Sequence, residues 1–277
     1  MTAKVRNSLC LAVPWAVASA ALIFLCLYDT GIIKLDLRRA PDLRKVSFER
    51  TVEMPDDIVI GDELILVNRD HPLPEDYEPD IIFYRDTDVY MNSAIVEDYG
   101  RLSDFIRENM GNRLYVSSTY RSYDDQLRVY NEEGPEVAAV PGCSEHQTGL
   151  ALDVYVMYFA GSAFPESPVG RYVNEHCGEY GFIIRYPDGA EDITGFEYEP
   201  WHIRYVGQPH AAIISECHLT LEEYLDCFEE GQWYSCDDYY MARLPEDELL
   251  LPEELTGYPV RISRDNTGCL FITVGPV

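Results

Sequence analysis

The chain has 277 residues, enough for one catalytic-sized domain with additions, and at 47% hydrophobic it can bury a sizeable core. Its 49 acidic residues outnumber 21 basic ones, for a net charge of −28. That balance excludes nucleic acid as a partner, because a phosphate backbone needs a basic surface, and it reads as a strongly solvated exterior.

In chain order, residues 1–8 read as a cytoplasmic N-terminus with Lys4 and Arg6. Leu9 to Tyr28 is uncharged and apolar apart from Ser19, the length of one membrane-spanning helix. A cleaved signal peptide is the competing reading, given the small residues between Ala16 and Ala21. The apolar run continues through Leu22, Ile23, Phe24, Leu25 and Leu27, which favours a single-pass signal-anchor. Lys34, Arg38 and Arg39 follow it, so flanking charge leaves the orientation open. Residues 29–59 read as a stalk.

A catalytic domain is expected over residues 60–228. Glu63 to Asn68 predicts a buried strand. The spacing of Ile95, Val96, Leu102, Phe105 and Ile106 predicts a helix from Asn92 to Met110, ended by Gly111. Leu114 to Ser117 predicts a short strand, and Ser122 opens a helix with Asp124 and Asp125 in its first turn. Leu150 to Val156 alternates, with Ala151, Asp153 and Tyr155 on one face. Trp201 to Val206 alternates too, with His202 and Arg204 on one face. Leu221 to Phe228 predicts a short helix. Residues 229–277 are acidic and β-leaning and read as an appended small β unit. Of eight cysteines, six lie beyond the apolar span; an exported domain allows disulfides among them, but the spacing selects no pairing.

Three segments carry candidate chemistry: Ser118-Thr119-Tyr120-Arg121-Ser122, the run from Ser144 to Asp153 that contains His146 and Gly149, and Glu199-Pro200-Trp201-His202. His146, Asp153 and His202 supply two imidazoles and a carboxylate, a set that leaves tetrahedral zinc one open position for water. Asp153 on an otherwise buried strand face would be costly without such a partner. Glu199, three residues before His202 and separated from it by a strand-breaking proline, is suited to take a proton from that water. The chain has no HExxH, so the site is not that of a helix-borne zinc peptidase. An isolated histidine is more often structural than a ligand, and spacing alone leaves both readings open.

Taken together, these segments resemble the VanY-type D-alanyl-D-alanine carboxypeptidases, zinc peptidases related to VanX and to the hedgehog-like fold. The family pattern of serine-x-tyrosine-arginine-serine, serine-x-histidine-x-x-glycine-x-alanine-x-aspartate and glutamate-proline-tryptophan-histidine is present in order. Similar stretches run through Leu66-Val67-Asn68, His71-Pro72-Leu73-Pro74, Gly181 to Pro187 and Arg204 to Gly207. The resemblance covers about residues 60–225 and implies an α+β fold, a small antiparallel sheet flanked by helices. It implies one Zn2+ per chain on His146, Asp153 and His202, with Glu199 as base. It further implies Arg121 as the stabiliser of the oxyanion or substrate carboxylate, and Gln126 and Ser144 as substrate contacts. The expected substrate is the peptidoglycan stem peptide, which places the domain outside the cell.

Two rivals belong to other classes. One is a cysteine peptidase using Cys143 with His146; the other is a non-catalytic wall-binding module on the same fold. A penicillin-binding serine enzyme is excluded: it needs serine and lysine spaced SxxK, and the lysines are Lys4, Lys34 and Lys45.

Overall fold

The computed structural model describes residues 37–55, 58–135 and 138–277. The N-terminal segment 1–8, the expected anchor 9–28 and the first part of the expected stalk lie outside these residues. Among the described residues no helix is long and apolar enough to cross a membrane. A compact unit runs from Arg39 to Val277.

Its first strands are β1 (Arg44–Val46), β2 (Thr51–Glu53), β3 (Ile60–Gly61), β4 (Ile81–Phe83) and β5 (Tyr90–Asn92). The middle of the chain holds α1 (Val96–Met110), β6 (Tyr115–Ser118), α2 (Tyr123–Glu133), β7 (Ala151–Tyr155), α3 (Pro168–His176), β8 (Phe182–Ile184), α4 (Glu191–Thr194) and β9 (His202–Tyr205). Then follow α5 (His210–Cys217), α6 (Leu221–Asp226), β10 (Trp233–Cys236), β11 (Tyr239–Pro245), β12 (Leu250–Pro252), β13 (Val260–Arg264) and β14 (Cys269–Val274).

The central sheet is antiparallel in the order β6-β7-β9-β8. One of its faces carries Leu150, Leu152, Val154, Val156, Ile203 and Tyr205 into a core shared with Ile95, Leu102 and Ile106 from the first long helix and its entry turn. The helix starts from a one-turn 3-10 segment whose Asn92 side chain accepts from the Ala94 N–H, and ends where Gly111 takes a left-handed conformation. The opposite sheet face presents Asp153 directly across from His202 and Ala151 across from Arg204. The alternation seen in the sequence therefore separates an apolar face from a polar one.

Gly149 connects the His146 turn to β7. Its φ is +67°, and a Cβ there would lie 2.4 Å from Ile81 Cδ1 and 2.9 Å from the Asn92 nitrogen. Any side chain meets both a strained backbone and an occupied space. Gly149→Ala is expected to cost at least about 2 kcal/mol of unfolding free energy, read as a lower urea midpoint with unchanged slope.

Three expectations need correction. Glu63 to Asn68 is buried but is not a strand. Leu64 and Leu66 point into one core and Ile65 and Val67 into another, which mimics a strand in the sequence. Its backbone groups instead find scattered partners: Leu64 N–H donates to Ser263 Oγ, Leu66 N–H to the Asp265 carbonyl, and the Ile65 carbonyl accepts from Arg204. The segment 229–277 is not a separate appendage. Its strands join a six-stranded sheet in the order β1-β10-β11-β14-β13-β3, so two edges come from before residue 62, and β12 pairs with β2. Hence residues 44–61, expected as stalk and domain edge, are part of the folded body. The sequence selected no disulfide pairing, and the six described cysteines, Cys143, Cys177, Cys217, Cys227, Cys236 and Cys269, are unbridged.

His210 joins this second sheet to the helices. Its ring is buried, with Nδ1 2.7 Å from Tyr224 Oη and Nε2 3.0 Å from Thr273 Oγ1. Burial, helped by the nearby Arg261 charge, pushes its pKa down to about 3. Below its ordinary value of about 6.5 the unfolded chain takes up a proton that the folded ring refuses, so stability is full above that pH and falls on acidification. The difference near pH 4.5 is about 2–3 kcal/mol relative to a neutral side chain. His210→Gln is therefore expected to flatten the stability profile between about pH 6.5 and pH 4.5; an unchanged slope in denaturant titrations would contradict this.

Candidate metal centre

His146, Asp153 and His202 come together from three elements. His146 sits on the 3-10 turn Glu145–Thr148, Asp153 at the middle of β7 and His202 at the start of β9. One nitrogen or oxygen from each lies within 4.8 Å of the others. His202 Nδ1 is 2.9 Å from Asp153 Oδ1, and His146 Nε2 is 3.4 Å from Asp153 Oδ2. Tetrahedral zinc, with arms of about 2.0–2.1 Å to nitrogen and oxygen, spaces its ligands by about 3.3 Å, so the set fits.

The turn is held by its own motif residues. Thr148 Oγ1 donates to the Glu145 carbonyl, the Gln147 side chain accepts from Gly142 N–H, and Asn92 Nδ2 donates to the Thr148 carbonyl. His146 Nδ1 lies 3.0 Å from the Thr119 carbonyl. A carbonyl can only accept, so Nδ1 carries the proton and Nε2 keeps the lone pair that faces Asp153.

Glu199 reaches the same space. Its N–H donates to the Tyr186 carbonyl, its carbonyl accepts from His202 N–H, and its Oε2 is 3.7 Å from His202 Nδ1. The side chain is 28% exposed, so one edge remains open to solvent. Burial raises its pKa, only partly offset by His202 and Arg121, which suits a group that must accept a proton. Asp153 is different. Burial alone would raise its pKa, but His146 and His202 outweigh that and hold it well below the usual carboxylate range.

Arg121 is tied to the ligand turn by its backbone, N–H to the His146 carbonyl at 3.1 Å. Its Nε is buried with no hydrogen-bond partner, and Asp153 and Glu199 are among the charges that act on it. Gln126 is fully buried; its Nε2 donates to the Ala139 carbonyl, while Oε1 has no partner. Ser144 is buried at the head of the ligand turn and its side chain makes no capping bond.

Sequence reasoning missed the support behind the ligands. Glu145 is wholly buried between Arg185 and Arg204, which are buried too. Arg185 continues to Glu222, and Arg204 donates to the carbonyls of Glu63 and Ile65. Burial would raise the Glu145 pKa, but the two guanidinium groups hold it well below the carboxylate range. Losing one partner of such a pair costs about 3–5 kcal/mol. Tyr186 was also missed; its ring lies 4.9 Å from the His202 ring and stacks on Phe196.

The thiol rival fares badly. Burial pushes the Cys143 thiol up, the opposite of what a nucleophile needs, and both ring nitrogens of His146 already have other neighbours.

On a small antiparallel sheet, this arrangement offers three ligand atoms that could hold one metal ion, with the Glu199 carboxylate beside them. The family model of VanY, D-alanyl-D-alanine carboxypeptidase, matches residues 88–208. The bifunctional D-Ala-D-Ala dipeptidase and D-Ala-D-Ala carboxypeptidase VanXYC of Enterococcus gallinarum is 36% identical over 59% of this chain and 93% of its own length. Among solved structures, the LdcB LD-carboxypeptidase is 36% identical with a TM-score of 0.56, over 60% of this chain and 87% of that one. The D,D-dipeptidase VanXYg, solved with a D-Ala-D-Ala phosphinate analog, is 26% identical with a TM-score of 0.67, over 81% of this chain and 98% of that one. The chain belongs to the VanY carboxypeptidase family.

Proposed function

We propose that the protein is a zinc-dependent D-alanyl-D-alanine carboxypeptidase that removes the terminal D-alanine from peptidoglycan stem peptides. The observation that carries this is the convergence of His146, Asp153 and His202 on one point with the Glu199 carboxylate beside it.

His146 Nε2, an oxygen of Asp153 and His202 Nδ1 would hold one zinc ion per chain. Bound there, zinc supplies Lewis acidity that polarises the scissile carbonyl and makes water a better nucleophile. Glu199 accepts the proton that water loses on attack and passes it to the amine of the departing D-alanine as the C–N bond breaks. Arg121 offers a permanent positive charge to the oxygen that gains charge, or to the terminal carboxylate of the peptide. Ser144, buried at the head of the turn that carries His146, and Gln126, buried on the helix that follows Arg121, are the weaker candidates for substrate contact.

The apolar run Leu9 to Tyr28 supports a tether to the membrane with the catalytic unit on the outer side, where stem peptides are found. The test is release of D-alanine from a peptide ending in D-Ala-D-Ala, with chelator and with thiol reagent. Loss of release with chelator alone is expected. Release that survives chelation, or that a thiol reagent stops, would overturn the reading.

A further inference from the structure

The two oxygens of Glu145 do different things. Oε1 accepts from Arg185 Nε at 2.6 Å and from Arg204 Nη1 at 2.8 Å. Oε2 is buried without a hydrogen-bond partner and stands 3.6 Å from His202 Nε2, which is likewise buried and unpartnered. Two orphaned buried polar atoms facing each other, slightly beyond hydrogen-bond reach, need an explanation.

We propose that Glu145 is a positioning residue that accepts the Nε2–H of His202 and so directs the Nδ1 lone pair of that ring toward Asp153 and His146. The inference rests on the metal-centre reading above. A neutral imidazole has one N–H, and an ionised carboxylate only accepts. With Glu145 behind the ring, the proton must sit on Nε2, which leaves Nδ1 free to bind metal. The direction of Oε2 is fixed because Oε1 is pinned by two guanidinium groups. These are anchored in turn to Glu222 and to the Glu63 and Ile65 carbonyls. His146 is treated the same way from the other side, with its Nδ1–H on the Thr119 carbonyl. Both rings thus present one nitrogen inward because the other faces a fixed acceptor.

Glu145→Gln tests this with almost no change of shape. Its amide oxygen keeps the two arginines, so its NH2 falls where Oε2 was and points a donor at His202 Nε2. That selects the tautomer with a proton on Nδ1, in the metal position. Zinc affinity of the full-length protein, measured by chelator competition, is expected to fall about 10–100-fold. Glu222→Gln loosens the far end of the same network; it is expected to lower thermal stability while leaving zinc affinity within about threefold of the parent. In the zinc-loaded parent, nitrogen NMR is expected to show His202 Nε2 protonated, a measurement that stands even where a variant does not fold. Parent-like affinity in Glu145→Gln, an equal loss in Glu222→Gln, or a metal-bound Nε2 on His202 would overturn the assignment. A parent protein that binds no zinc would instead remove the metal-centre reading itself, and this proposal with it.

Discussion

His202→Ala is expected to abolish metal binding and hydrolysis together. On the proposed assignment the ring would supply one of three ligating atoms, and with it gone only His146 and Asp153 would remain. The loss of affinity should exceed the about 10–100-fold typical of substitutions behind a ligand. The ring also shields two carboxylates, the partly buried Asp153 on one side and the buried Glu145 on the other. Without metal, burial would lower the His202 pKa, but these acids outweigh it and bring it up to about 9. Removing the ring therefore leaves Asp153 with less compensation, and a lower melting temperature should accompany the lost metal. Metal content by atomic emission and a thermal scan on the same sample separate the two effects. Parent-like metal content would contradict the ligand assignment.

Glu199→Gln is expected to behave in the opposite way: metal retained, turnover lost. The carboxylate is 3.7 Å from His202 Nδ1 but makes no hydrogen bond that holds the ligand, so the amide should leave the centre intact. It cannot take up a proton. Proton transfer by a positioned side chain contributes about 10²–10⁴-fold, so kcat should fall by at least about 10²-fold with KM little changed. The burial that raises the Glu199 pKa makes the native group a better acceptor, which strengthens the contrast. A variant with zinc at one per chain and undiminished turnover would dismiss Glu199 as base.

The clustering of Asp153 and His202 was legible because the placement of these residues coincides with strand period. Asp153 and His202 each sit on the polar side of an alternating segment, and antiparallel pairing sets them opposite one another. Gly149 was legible as part of a motif, and the structure supplies its reason in a left-handed turn packed on Ile81 and Asn92. The Ser122 helix start was equally local, since the Ser122 side chain accepts from Asp125 N–H. What failed was non-local. The pairing of Arg44–Val46 with Trp233–Ser235 and of Ile60 with Ile262 joins segments about 190 to 200 residues apart. Nothing in either segment alone announces the other, so one side read as stalk and the other as an appendage.

Glu145 was hidden for a different reason. Among 49 acidic residues it looks like any other, and only the arginines it meets distinguish it. A signal existed: Arg185 lies in the run Phe182-Ile183-Ile184-Arg185-Tyr186, and Arg204 alternates with buried apolar residues. A charge on such a segment needs a buried partner. The Glu63–Asn68 segment misled in the same spirit, because burial on two sides gives strand-like composition without a neighbouring strand to pair with.

Anomalous diffraction at the zinc edge from crystals of the active, zinc-loaded protein tests the account most directly. A single peak per chain, bounded by His146 Nε2, an Asp153 oxygen and His202 Nδ1, is the predicted result. Catalytically competent crystals with no peak at that point, or with the ion held by other side chains, would contradict it.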